Sequence, residues 1–349
     1  MEKQPSKRIQ LWDEMRGVAI LCMVMAHFSY VETATFDGLT IGSFLDRVDD
    51  FPRLVLYFVH ANASFLAPFL FYFLVGVMCN IKFKKINNIE YNKTISRASR
   101  LIIGTLAVNT IFLLRTPFPQ NMELLKHLVS PNVLFYILLI YLFNELILHN
   151  FIHYFKFTFR SKTCCITAVT ALCFLYNITA SNVGTYRDLS WPVSMALGIY
   201  ASLLGDYFTD IKATEKHIRA LVATLAAGAL ALIFYLIAHP PVDALKKMSV
   251  SYYLYCFGAA AAISFVLLKL EKIQTAFIRG ILAALALMGR HSLVLYGVHY
   301  LVGLLFFRLV LSPFVPDRYW WISVVIILTA CWLTARLLES RPLMKKRAS

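Results

Sequence analysis

Charge is scarce in this chain. Only 15% of its 349 residues are charged and 59% are hydrophobic, where an ordinary soluble domain carries about 25% charge. Apolar stretches near the roughly 20 residues needed for a membrane span recur from end to end. Nucleotide and zinc signatures are missing too: there is no Walker-type loop, no GxGxxG and no His-Glu-x-x-His. Their absence argues against a nucleotide-driven pump and a membrane zinc protease. The seven cysteines, Cys22, Cys79, Cys164, Cys165, Cys173, Cys256 and Cys331, all fall in apolar stretches without zinc or redox spacing. Cys164 and Cys165 are adjacent, too close for an ordinary bridge. All seven read as packing residues, and no metal is expected. A cleavable signal peptide is not expected either, because the first apolar run carries Arg16 and His27 and lacks a cleavage site. With no soluble segment, low-complexity linker or internal repeat, residues 1–349 are expected to form a single integral-membrane domain.

What is present is basic. The net charge of +15 sits in short runs between apolar segments, as topology signals do, and a nucleic-acid partner is rejected on that ground. Spans are expected near 15–31, 54–81, 101–114, 133–149, 164–180, 191–204, 220–238, 251–268, 292–311 and 320–338. The head and the loop from Lys82 to Arg100 are basic, whereas the loop between them holds Asp37, Asp46, Asp49 and Asp50. Lys156, Arg160 and Lys162 mark another basic loop, and Lys269, Lys272 and Arg279 a further one. This alternation predicts a cytoplasmic N-terminus. Residues 277–289 are apolar enough to count as an extra span, which would put the basic tail outside. Taken as a short interfacial or re-entrant helix on the cytoplasmic side, they leave about ten spans and a cytoplasmic C-terminus. The expected fold is therefore an all-α polytopic helix bundle in the lipid bilayer. Trp191, Trp320 and Trp321 stand at span ends, where interfacial aromatic belts form.

Charged groups at membrane depth are costly and often mark function. Arg16 and His27 are eleven residues apart, about 16 Å along a helix and on nearly the same face. A cation near the cytoplasmic boundary thus shares a stripe with an imidazole further in. The chemical reading is a base or acyl-handling group at His27, with Arg16 neutralising an anion at the entrance. The plainer reading is a snorkelling arginine and a histidine that bonds between helices. His60, Asn62, Asn80, Asn109 and Glu145 are further polar candidates within or beside spans. In the ninth span, His291 falls near the entrance and His299 two turns deeper, at a depth similar to that of His27.

The stretch WDEMRGVAILCMVMAHF resembles the opening helix of a clan of membrane-bound acyltransferases. That clan includes the acyltransferase-three family and the heparan-alpha-glucosaminide N-acetyltransferase-like family. The shared pattern is an acidic residue, Arg-Gly, an aliphatic run and a histidine eleven residues after the arginine, here Asp13, Arg16, Gly17 and His27. APFLFYFLVGVMCNI at 67–81 is similar to the second-helix pattern of the heparan branch. Arg97-Ala-Ser-Arg100 resembles the Arg-x-x-Arg of the acyltransferase-three branch, and GRHSLVLYGVH at 289–299 resembles a late element found across the clan. The middle, from about 115 to 275, carries no such element. FDGLT at 36–40 lacks the luminal histidine of the animal heparan enzyme, a departure from its pattern.

The resemblance implies transfer of an acyl group, commonly acetyl, from a cytoplasmic acyl-CoA to a hydroxyl or amine of a sugar or cell-envelope glycan. Acetyl-CoA would be the co-substrate. Arg16, Arg97 and Arg100 would bind the anionic donor. His27 would be catalytic, as base or transient acyl carrier, with His299 as a secondary catalytic candidate. The modest loops fit a bacterial plasma (inner) membrane. The alternative is a secondary transporter or flippase for an anionic or lipid-linked substrate, using the same intramembrane Arg and His. A non-enzymatic membrane partner would tolerate loss of His27. Nothing in the sequence specifies an oligomeric state.

Overall fold

Long aliphatic runs favour helices, and helices are what the described residues build. The computed structural model describes residues 10–28, 63, 66–78, 91–113, 133–142, 250–273, 275–303 and 320–340. Among these residues all regular structure is helical and there is no strand. The helices are α1 (Gln10–Phe28), α2 (Leu66–Met78), α3 (Tyr91–Leu113) and α4 (Val133–Leu142). They continue with α5 (Val250–Leu270), α6 (Ala276–Arg290), α7 (Ser292–Tyr300) and α8 (Trp320–Ser340). The spans expected at 164–180, 191–204 and 220–238 lie outside the described residues, as do the chain ends and most of the loops that orient the chain.

The core gathers on α1. Met15, Ile20 and Val24 are fully buried with Leu70 of α2, Leu295 of α7 and Ile327 of α8. The tightest approach is between α1 and α6. A Cβ at Gly17 would run into the backbone of Leu285, and one at Gly289 into the carbonyl of Asp13. Moving four residues up α1 moves the contact four residues down α6, so the two helices run antiparallel. Glycine at these two positions lets backbone meet backbone, the small-residue packing that helices use where side chains would hold them apart. Residues 277–289 thus form a helix laid against the first half of α1.

The chain then turns sharply. α6 and the stretch Ser292–Gly303 are inclined at 87° across a break at His291. α8 braces that break from the side: Glu339 receives Arg290 Nη2 at 3.2 Å and lies 3.0 Å from His291 Nε2.

Large apolar side chains face outward on several helices. On α3, Ile95 (62% exposed), Ile103 (65%), Ile102 and Leu106 face outward beside Ser96, Arg97 and Arg100, while Thr94, Thr105 and Asn109 are buried with Leu101 and Val108. Phe277 of α6 and Leu337 of α8 are likewise exposed. Hydroxyls on α8 are satisfied within the helix, Thr329 on the Val325 carbonyl at 2.7 Å and Thr334 on that of Ala330 at 2.8 Å. Among the described residues, one helix, over Trp321–Ser340, is long and apolar enough to cross a membrane.

Candidate functional site

Three cations converge first. Arg16 emerges from α1 one turn after Asp13, whose carboxylate it meets at 3.3 Å. Arg97 and Arg100 sit three residues apart on α3, both exposed, and the Arg100 Nε–H donates to the Ser96 carbonyl at 3.2 Å. All three guanidinium-bearing residues line one cavity of about 430 Å³, shared with Phe71, Leu74, Tyr141, Ser292 and Tyr296. Its walls are aliphatic and aromatic, and its charge is positive. This volume falls in the usual range of ligand pockets.

A second cluster lies further along α1. His27, in the last turn, is exposed, whereas His299 of α7 is fully buried. Their ring centroids are 5.4 Å apart. Tyr300 closes the group, its hydroxyl 3.1 Å from His27 Nε2 and its ring 4.0 Å from that of His299. Tyr296, one turn earlier on α7, stands edge-on to His299 at 5.3 Å and to Tyr300 at 5.4 Å. It also meets Phe71 edge-on at 6.2 Å. Tyr296 therefore belongs to both places: it walls the arginine cavity and touches the histidine cluster.

An acidic group borders the polar end of α1, before the apolar run that begins at Met15. Glu14 is buried. One of its oxygens accepts from the Gln10 amide at 2.8 Å, and the other has no hydrogen-bond partner. Burial pushes the Glu14 carboxyl up to about 7; the Gln10 bond opposes that rise, and Glu271 and Asp13 add to it.

The residues singled out from sequence fall into these two groups. Arg16, Arg97 and Arg100 come together at the cavity, and His27 and His299 come together at the ring cluster. Asn109 is buried in α3, and His291 is held at the bend by Glu339. His60, Asn62, Asn80 and Glu145 lie outside the described residues. Sequence reasoning missed Tyr300 and gave Tyr296 no role of its own. Helical spacing held the signal for both, because positions 296, 299 and 300 share one face of a helix.

Neither the family models nor the curated proteins searched give a match to this chain.

Proposed function

We propose that this chain is an integral membrane acyltransferase that moves an acetyl group from cytoplasmic acetyl-CoA to a hydroxyl or amine of a sugar or envelope glycan. One observation carries the reading. A cavity lined by Arg16, Arg97 and Arg100 is joined, through Tyr296, to an imidazole pair at His27 and His299. Guanidinium groups suit the phosphates of an anionic donor, which they bind by charge-assisted hydrogen bonds. A histidine titrates near ambient pH and suits proton removal from an acceptor. The outward-facing isoleucines of α3 and the long apolar α8 support lipid as the surrounding solvent. The short basic loops fit a bacterial plasma membrane, with about ten spans and both termini cytoplasmic.

In this reading His27 takes the proton of the acceptor hydroxyl as its oxygen bonds to the thioester carbonyl carbon. The carbon–sulfur bond breaks, and the departing thiolate recovers that proton from the imidazolium. The arginines hold the donor's phosphates throughout. His299, the secondary catalytic candidate, packs beside His27.

Radiolabelled acetyl transfer from acetyl-CoA into the glycan and lipid fractions of proteoliposomes tests this. Label with wild type and none with His27→Ala is the expected result. A His27→Ala protein of undiminished activity overturns the site assignment.

The 87° break between α6 and α7 favours a second reading, because broken helices often frame the binding sites of secondary transporters. A transporter or flippase for an anionic or lipid-linked substrate would move its cargo into vesicles without any acyl label appearing.

A further inference from the structure

We infer that the groove between α6 and α8 holds an anionic phospholipid, with its phosphate on Arg336 and Arg290 and an acyl chain along the apolar wall. The inference goes beyond the acyltransferase reading and rests on one part of it, that α8 lies in a bilayer.

The groove is a second cavity, of about 770 Å³, and it shares no lining residue with the one that Arg16 walls. Its lining divides by chemistry. Leu287 of α6 and Leu333 and Leu337 of α8 make an apolar wall, while Arg290, Arg336 and Glu339 supply the charge. Arg290 is the last residue of α6 and Glu339 the last but one of α8. They meet at 3.2 Å, so the charged groups gather where both helices end. The wall is open: Leu333 is 49% exposed and Leu337 64%, and a Cβ at Gly280 would meet nothing within 4 Å.

Depth and charge point to the occupant. Among the described residues, α8 is the helix long and apolar enough to cross a membrane. Arg336 lies four residues short of its end, about 6 Å along the axis, from where a guanidinium reaches the headgroup layer. Two arginines against one glutamate leave an excess of positive charge in the groove. The Glu339 oxygens already face Arg290 Nη2 and His291 Nε2 at 3.2 and 3.0 Å. Arg336 is held differently, its guanidinium carbon 5.2 Å from the centre of the Trp332 ring. Such a contact fixes where the cation lies without giving it an oxygen acceptor. Phosphate oxygens match the guanidinium fork and supply that acceptor. A protein segment could cover the leucines, but a basic pocket between membrane helices suits a lipid headgroup.

Brominated acyl chains quench tryptophan on contact, and Trp332 lines the groove. The full chain is reconstituted in phosphatidylcholine vesicles containing a rising fraction of brominated phosphatidylglycerol, or of brominated phosphatidylcholine in its place. The Trp332 share of the quenching is the part lost in Trp332→Phe. Wild type should reach half-quenching of Trp332 at about fivefold less phosphatidylglycerol than phosphatidylcholine, the effect of one net charge. Arg336→Gln should bring the two lipids to parity, and Arg336→Lys should keep most of the preference. Gly280→Leu, which fills the open wall, should weaken quenching by both lipids. High salt should lower the wild-type preference, and that measurement carries the test if Arg336→Gln does not fold. Equal quenching by the two lipids in wild type overturns the inference, as does a preference that survives Arg336→Gln. Absence of Trp332 quenching by either lipid overturns it too and points to a protein segment in the groove. None of these readings uses acetyl transfer, so lipid selection by a chain inert as an enzyme supports the inference while the acyltransferase reading falls.

Discussion

The arginine cavity and the histidine–tyrosine cluster share α1, yet they are built on opposite principles. At the cavity the cations of α3 are exposed, and Arg100 is held by a local bond to Ser96. At the cluster the supporting groups, His299 and Tyr300, are buried and packed ring against ring. The first arrangement attracts charge without fixing an atom. The second fixes an atom, as chemistry requires. In the proposed reading, binding and reaction are divided along one helix, with Tyr296 at the division.

Four substitutions break or sharpen this contrast. His27→Gln strikes the fixed end and should lower labelled acetyl transfer by roughly 10²–10⁴-fold, the usual contribution of a general base, with KM for acetyl-CoA little changed. Gly289→Val strikes the frame both regions share. Its side chain meets the Asp13 carbonyl, and backbone cannot step aside, so overpacking should cost about 3 kcal/mol. A lowered unfolding midpoint in detergent, with weaker transfer in every substrate condition, is the outcome to look for. Arg100→Gln strikes the open end. Losing one charge-assisted bond of about 1.5 kcal/mol should raise KM for acetyl-CoA about tenfold and leave kcat alone. A fall in kcat instead would erase the proposed division.

The smallest effect belongs to Glu14. Its folded pKa is about 7 against an ordinary 4.5, so the folded state binds more protons between these values. Stability is then full below about pH 4.5 and declines as pH rises toward 7. Glu14→Gln should flatten that decline, a change of about 2 °C in melting midpoint between pH 5 and 7.5. A wild-type midpoint that rises over this range would contradict the burial argument.

Much of the site was legible in sequence because it is helical and local. The eleven-residue interval from Arg16 to His27 fixes both on one stripe of α1, whatever packs against it. Arg97 and Arg100 were singled out by the resemblance of their Arg-x-x-Arg pattern, and the structure places both at the cavity that Arg16 lines. Tyr300 was not legible. Its hydroxyl meets His27 from a helix, α7, that leaves α6 at 87°, a bend beside which His291 pairs with Glu339, forty-eight residues further on. The apolar character of 277–289 was equally plain, but its place was not. Two glycines, Gly17 and Gly289, decide that α6 lies against α1, and no periodic pattern links positions so far apart.

That glycine seam bears on how the chain is made. Gly17 leaves the ribosome 268 residues before Leu285, its partner. At about 5–20 residues per second, the bare flank of α1 waits roughly 15–55 s for α6 to arrive. During that interval the face of α1 that carries Asp13 and Gly17 lacks α6, the helix that lies against it in the finished structure. A chain released before Ala276 would lack the helix that closes this seam and would keep that flank of α1 open.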